Sequence, residues 1–349
     1  MAIRLTVVLL SYLRTTYLDE ALDSVLEQDT ANGFEILFVT ASEGYQPPVA
    51  LSKKAAEKGI SLRRVQIGRV PVGEGLARAL EVSTGDVVAI IDDDDTWAPG
   101  KLRAVERAFE ADPQLLYFHN GQTFINSKGR PLGASSTHRL VRHRGSLAKE
   151  GSRLTSDTRD LPGMRTMQRL EPDFNNSSIA IKRAVLERSK GALRQVAAGE
   201  DSFLFLCALA GVGHVSCCSD RLTMYRIHAS TLTYPPVTFG SSLERLDALR
   251  GYVHRHLGEV TLAMEAIGSD PYPPARNFLK RDTAYWVLMD SVLSGNPSTN
   301  RVSTQIRNLL ASDGLALRLR DGAAIFLAAL TIIVPNSGRG LLAAWRMTW

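Results

Sequence analysis

Four consecutive carboxylates, Asp92, Asp93, Asp94 and Asp95, follow the apolar run Val87-Val88-Ala89-Ile90-Ile91 and precede Thr96-Trp97-Ala98-Pro99. An unbroken apolar run of this kind reads as a strand buried on both faces, and ligands of open α/β sheets bind outside the carboxyl ends of such strands. Carboxylates packed this closely repel one another unless a cation compensates them, and their hard oxygens suit Mg2+ or Mn2+. Those ions commonly bind through one or two carboxylates plus substrate phosphates, so the run implies a divalent cation holding a diphosphate. The plain alternative is an acidic capping loop favoured by a helix dipole, but a cap needs one such residue and not four. A second acidic pair, Glu200-Asp201, follows Gly199 at the head of the apolar stretch 202–209. By itself it is an ordinary arrangement at a helix N-terminus.

The surrounding pattern is that of alternating strands and helices. Strands are expected over 5–10, 35–39, 62–67 and 86–91, with helices over 18–28, 50–58, 73–82 and 99–109, where Pro99 suits a first helical turn. This beginning predicts an α/β fold with a mostly parallel sheet covered by helices. Periodicity fails over 138–169, where Arg139, Arg142, Arg144, Lys149, Arg153, Arg159, Arg165 and Arg169 make a long basic loop, read either as a solvated excursion or as an anion-binding lid. Strands near 178–181, at Val215 and over 222–225, with a helix over 201–209, are expected to complete the sheet. Beyond Pro235 the chain reads as helical, with candidates over 243–256, 278–293 and 302–310.

Composition bounds the class. The 349 residues carry 44% hydrophobic and 22% charged side chains, as in ordinary folded proteins. A mean hydropathy of -0.06 and the lack of an apolar run of about 18 residues argue against a membrane span. The start is too short and wrongly flanked for a secretory signal, so a cytoplasmic location is expected. Cys207, Cys217 and Cys218 have no disulfide or zinc spacing and read as buried thiols. The net charge of +5 fits an anionic partner without naming it. The apolar stretch 323–334, followed by Trp345, Arg346 and Trp349, is too short to span and reads either as a buried helix or as an interfacial segment.

Leu5-Thr6-Val7-Val8-Leu9-Leu10-Ser11-Tyr12-Leu13-Arg14, the 21–28 helix, Ser83-Thr84-Gly85-Asp86 and the 92–99 stretch together resemble family 2 glycosyltransferases of the GT-A fold, over about residues 3–232. The resemblance implies a GT-A domain over 1–234, with 135–170 as a basic acceptor-side loop; the rest, 240–349, reads as a helical C-terminal region whose tail, 322–349, is either buried or membrane-interfacial. In that family an Asp-x-Asp motif, falling here on Asp92 and Asp94, contacts the nucleotide and binds Mn2+ or Mg2+. Glu200-Asp201 resembles the second acidic motif, with Asp201 as catalytic base and Glu200 orienting the acceptor. Inverting transfer requires such a base to take the acceptor proton. Tyr225-Arg226-Ile227-His228 resembles the closing segment, with His228 as a further metal ligand; imidazole suits Mn2+ better than Mg2+. Arg226 is read as a partner of either phosphate or a carboxylate. Ser11, Tyr12, Ser42, Arg78, Asp92 and Asp93 are the implied nucleotide contacts.

The chain departs from the family pattern in three places. It has Leu10 and Leu13 where relatives have Pro and Asn, Thr40-Ala41 followed by Ser42-Glu43 where they have an acidic pair, and Leu76-Ala77-Arg78 where they have Arg-Asn. The expected activity is metal-dependent, inverting transfer from a nucleoside diphosphate sugar, with UDP as the expected nucleotide, to a hydroxyl or lipid-linked glycan, in surface polysaccharide or glycoconjugate synthesis. Nucleic acid is not an expected partner, whereas the inner membrane face is. Two alternatives stay open: a nucleotidyltransferase, disfavoured by the lack of a Gly-rich phosphate cradle, and a non-catalytic nucleotide- or glycan-binding relative.

Overall fold

The computed structural model describes residues 2–133, 141, 152–197, 199–228, 242–268, 273–295, 297–310, 319–334 and 338. The chain divides into two units, residues 1–227 and 228–349.

The N-terminal unit begins with β1 (Leu5–Ser11), buried along its whole length as a central parallel strand must be. Helix α1 (Leu18–Leu26) turns Leu18, Ala21, Leu22, Val25 and Leu26 inward at helical spacing. Strand β2 (Phe34–Thr40), α2 (Val49–Glu57), β3 (Ser61–Gln66), α3 (Val72–Val82) and β4 (Val87–Asp92) follow. Strands β1 to β4 are parallel in the order β3-β2-β1-β4, with Leu10 opposite Asp92. The order therefore reverses between β1 and β4, and the Ser11 and Asp92 ends meet at the switch point where α/β sheets open a ligand crevice.

The second half continues with β5 (Thr96–Trp97), α4 (Lys101–Ala111), β6 (Leu115–Asn126), β7 (Arg153–Asp157), α5 (Leu161–Gln168), a 3-10 turn (Asn176–Ser178), β8 (Ile179–Lys182), α6 (Arg183–Leu193), α7 (Glu200–Leu209) and β9 (His214–Ile227). The described strands form one mixed sheet ordered β3-β2-β1-β4-β8-β6-β9-β5, with β7 also on β9. Strand β8 runs antiparallel to both β4 and β6, so the turn that precedes it arrives at the edge where β4 ends. One face of the sheet packs Val7, Leu9, Ile36, Phe38, Ala89 and Ile91 under α1 and α4. On the other, α3 meets α6 so closely that a Cβ at Gly73 would lie 1.9 Å from the Leu193 carbonyl oxygen.

Several expectations change. Helix α4 starts at Lys101 and not at Pro99, because Gly100 takes a left-handed φ of 81° that no helical turn accommodates. The basic stretch is not one loop: β7 and α5 lie within it. Strand β7 is Arg-Leu-Thr-Ser-Asp, with no apolar alternation, and is held by antiparallel pairing to β9 from Arg153↔Cys218 to Asp157↔His214. Arg139, Arg142, Arg144 and Lys149 lie outside the described residues. Val215 and 222–225 belong to a single 14-residue strand, β9. Strand β6 and helix α6 are elements that periodicity did not announce.

The C-terminal unit contains α8 (Ser242–Ile267), α9 (Pro273–Ser294), α10 (Thr299–Leu310) and α11 (Leu319–Ile333). Helix α9 packs against the other three, through Ala284, Leu288 and Val292 among others. Trp286 of α9 stacks on His256 of α8 with centroids 4.3 Å apart. In α11, Ala324, Leu327, Ala328 and Thr331 are buried, while Phe326 and Ile333 are exposed. No described helix is long and apolar enough to cross a membrane.

Candidate active site

The acids that follow β4 are held in a tight turn because both flanks are pinned. The backbone N–H of Asp92 donates to Ser177 Oγ at 3.0 Å, and β5 resumes pairing at once with Thr96↔Met224 and Trp97↔Thr223 on β9. Asp93 points inward and is 3% exposed; Arg14 Nη2 donates to its Oδ1 at 2.7 Å. The other Arg14 nitrogen, Nη1, lies 2.8 Å from Asp94 Oδ2. The loop after β1 sets this fork: Leu13 takes a left-handed φ of 59°, and Ser11 Oγ donates to the Arg14 carbonyl at 2.7 Å. Strained backbone of this kind costs about 1–3 kcal/mol and persists only where surrounding contacts over-determine it.

Asp95 is buried. It accepts from Asn175 Nδ2 at 2.8 Å and from the Arg226 backbone N–H at 2.8 Å. The Arg226 guanidinium is fully enclosed: Nε donates to the Asp94 carbonyl at 2.8 Å, Nη2 meets Glu20 Oε2 at 2.6 Å, and the group lies 4.3 Å from the Tyr17 ring centroid. Of the two partners expected for Arg226, the structure shows a carboxylate, and the side chain clamps the acidic turn from below.

The electrostatics of the turn favour a cation. Burial, then repulsion from Asp94, Glu200, Asp95 and Asp93, pushes the Asp92 carboxyl well above the usual range. Burial lifts Asp93 to about 7 even though Arg14 opposes the shift. Asp95 is raised by burial and by Asp94. Asp92, Asp94 and Asp95 each offer one carboxylate oxygen, and these atoms lie within 4.8 Å of one another. An all-carboxylate set with suppressed ionisation fits a divalent cation with hard-oxygen preference, Mg2+ or Mn2+ alike.

Glu200 and Asp201 open α7 after Gly199, whose φ is 68°. Asp201 Oδ2 accepts the Asn175 N–H at 3.0 Å, and Asp201 Oδ1 accepts the Ser202 N–H at 2.9 Å. Glu200 Oε1 accepts from Asn176 Nδ2 at 2.5 Å. Both acidic segments are therefore tied to one short stretch, 175–178, at the carboxyl edge of the sheet. Ser177 is its hub: its carbonyl accepts from Trp97 Nε1 at 2.8 Å, Thr223 Oγ1 at 2.9 Å and the buried Lys101 Nζ at 3.4 Å.

The structure thus brings together Ser11, Asp92, Asp93, Asp94, Glu200 and Asp201. Tyr12 is exposed in the loop beside Ser11. Ser42 follows β2, its N–H donating to Thr40 Oγ1 at 3.0 Å and its carbonyl accepting from Arg64 at 3.0 Å. Arg78 sits in mid-α3 paired with Glu74 at 2.7 Å, and Glu74 also meets Arg194 at 2.6 Å. The arginine found on the acids is Arg14. His228 is the first residue of the C-terminal unit and does not belong to the three-carboxylate group. Arg14, Asn175, Asn176 and Ser177 were not singled out from sequence. The polar run Asn175-Asn176-Ser177-Ser178 just before an apolar strand was the available signal for three of them.

A switch-point acidic turn facing a second acidic pair across a mixed sheet defines a GT-A architecture, and solved structures agree. The chain is 15% identical to S. aureus TarS residues 1–349, with 99% of this chain and 92% of that one covered at a TM-score of 0.55. Against the mannosyltransferase PcManGT from Pyrobaculum calidifontis, solved with GDP-Man and Mn2+, identity is 18%, coverage 100% and 88%, and the TM-score 0.52. Residues 6–173, just under half of the chain, match the model described as Glycosyl transferase family 2. An uncharacterized glycosyltransferase of Nostoc sp. is 24% identical over 233 residues, 65% of this chain. The match spans 66% of that relative, just under two thirds of its length.

Proposed function

We propose that this protein transfers a sugar, with inversion, from a nucleoside diphosphate sugar to a hydroxyl or lipid-linked glycan acceptor. The observation that carries the reading is the placement of the Asp92–Asp95 turn and the Glu200-Asp201 pair at one sheet edge, joined through residues 175–178. Asp92, Asp94 and Asp95 would hold Mn2+ or Mg2+, which supplies charge stabilisation for the departing diphosphate. Asp201 accepts the acceptor's hydroxyl proton as that oxygen bonds to the anomeric carbon and the bond to the diphosphate breaks. Glu200 orients the acceptor. Ser11, Tyr12 and Ser42 line the nucleotide side, and His228 is retained as a candidate ligand from the sequence motif.

UDP is the expected nucleotide; TarS has been solved with UDP-GlcNAc, PcManGT with GDP-Man. The apolar outer face of α11, with Phe326 and Ile333 exposed, supports a peripheral membrane contact and hence an acceptor built on lipid, as in surface polysaccharide or glycoconjugate synthesis. Calorimetric titration of UDP, GDP, CDP and dTDP with Mn2+, Mg2+ or EDTA, on wild type and Asp94→Ala, tests the donor site. Metal-dependent binding of one nucleotide, lost in the variant, is the expected result; no binding to any of the four favours a non-catalytic relative.

A further inference from the structure

Residue 175 touches both acidic segments at once. Its backbone N–H donates to Asp201 Oδ2 at 3.0 Å, and its side-chain Nδ2 donates to Asp95 Oδ2 at 2.8 Å. Its remaining amide oxygen accepts from Ser178 Oγ at 3.0 Å, and the residue is 6% exposed. Its backbone N–H and both polar atoms of its side chain are thus committed, two of them to carboxylates from distant parts of the chain. The backbone is held at φ 70°, ψ 114°, outside the regions open to residues with a Cβ. Glycine would adopt this conformation without the steric cost, but it has no amide to give Asp95. Aspartate would face two carboxylates with a third, and glutamine would carry its nitrogen one carbon too far.

We propose that Asn175 is a positioning residue: it fixes the Asp201 carboxylate relative to the donor-side acids, acting through Asp201 and not on substrate. The inference rests on the reading of Asp201 as the base. Asp95 is anchored independently by the Arg226 backbone N–H, so loss of the Asn175 amide frees the strained peptide and with it the hydrogen bond to Asp201. Displacement of a reacting group by about 1 Å costs on the order of 100-fold in rate. The donor acids keep Arg14, Ser177 and Arg226, so donor binding is spared.

The test compares wild type, Asn175→Ala, Asn175→Gly and Asp201→Ala. Two quantities are read: the rate of UDP release from UDP-GlcNAc with water as acceptor, and the calorimetric Kd for UDP with Mn2+. In this reaction water bonds to the anomeric carbon, the bond to the diphosphate breaks, and the water proton passes to Asp201. Both Asn175 variants are expected to lose at least about 30-fold in rate while Kd stays within about threefold. The glycine variant, relieved of backbone strain, secures the measurement should the alanine variant fold poorly. A rate unchanged in Asn175→Gly, or a Kd that weakens in step with the rate, overturns the inference. Full activity in Asp201→Ala overturns the base assignment together with it, whereas loss there beside a wild-type rate in Asn175→Gly defeats the positioning role alone.

Discussion

Arg14 Nη2 lies 2.7 Å from Asp93 Oδ1, so an arginine from the loop after β1 neutralises a carboxylate that the end of β4 has turned into the protein. The Asp93 carboxyl is lifted to about 7, above its value in an unfolded chain, so the native state holds a proton that the unfolded state releases near pH 4. Its contribution to stability is complete at low pH and is lost as pH rises through about 7. In EDTA, the protein is expected to be less stable at pH 8 than at pH 6. Arg14→Ala, which strands Asp93 and raises it further, should widen that gap by about 1 kcal/mol in urea denaturation.

Divalent cations should relieve the same repulsion. Mn2+ at about 100 times its dissociation constant stabilises by about 2.7 kcal/mol. For a chain of this size that corresponds to a rise in melting temperature of about 4 °C. Asp92→Asn and Asp94→Asn, which remove a ligand from the three-carboxylate group, are expected to abolish the rise in a thermal scan with and without Mn2+.

Lys101 offers a pH dependence of opposite sign. Burial lowers it to about 7, while the unfolded chain keeps its proton to above pH 10. Between these values the unfolded state binds one more proton, so stability rises with pH by up to about 1.4 kcal/mol per unit. Against the opposing fall from the acidic turn, wild type should gain stability relative to Lys101→Met by up to this slope as denaturation is followed from about pH 7 to about 8.5. Towards about pH 8.5 the unfolded thiols of Cys207 and Cys218 begin to ionise while their native values are pushed up to about 12 and 11, which opposes the rise equally in both proteins.

Gly73→Ala places a methyl carbon 1.9 Å from the Leu193 carbonyl oxygen, which α3 and α6 can relieve only by moving apart. A loss of about 3 kcal/mol is expected, read from the denaturation midpoint.

The outer face of α11 can be tested without disturbing its buried one. Phe326→Glu with Ile333→Glu leaves Ala324, Leu327 and Ala328 in place and should release the protein from anionic liposomes in a flotation assay. Unchanged partitioning would remove α11 from the membrane reading.

Strands β1, β2 and β4 were legible because strands covered on both faces are apolar along nearly their whole length, and an acidic run at the end of one of them is conspicuous. Strand β6 was not, because its middle buries His119, Asn120 and Gln122, whose hydrogen bonds are long-range and leave no local period. Asp92, Asp94 and Asp201 could be read from motif and position. The role of Arg14 could not, since it depends on a left-handed Leu13 that no propensity marks. Asn175 escaped for a similar reason: its importance lies in two partners brought near by the antiparallel entry of β8.

The arrangement around β9 bears on how the protein behaves at high concentration. Along one side this 14-residue strand runs beside β6; along the other, β7 covers its first half and β5 a short stretch of its second. The opposite end of the sheet is β3, six residues long and carrying adjacent Arg63 and Arg64. A long bare strand is a template for edge-to-edge growth, and short or charged margins discourage it. The fold therefore defends its sheet against self-association at both ends: it divides the long border between two smaller strands and charges the short one.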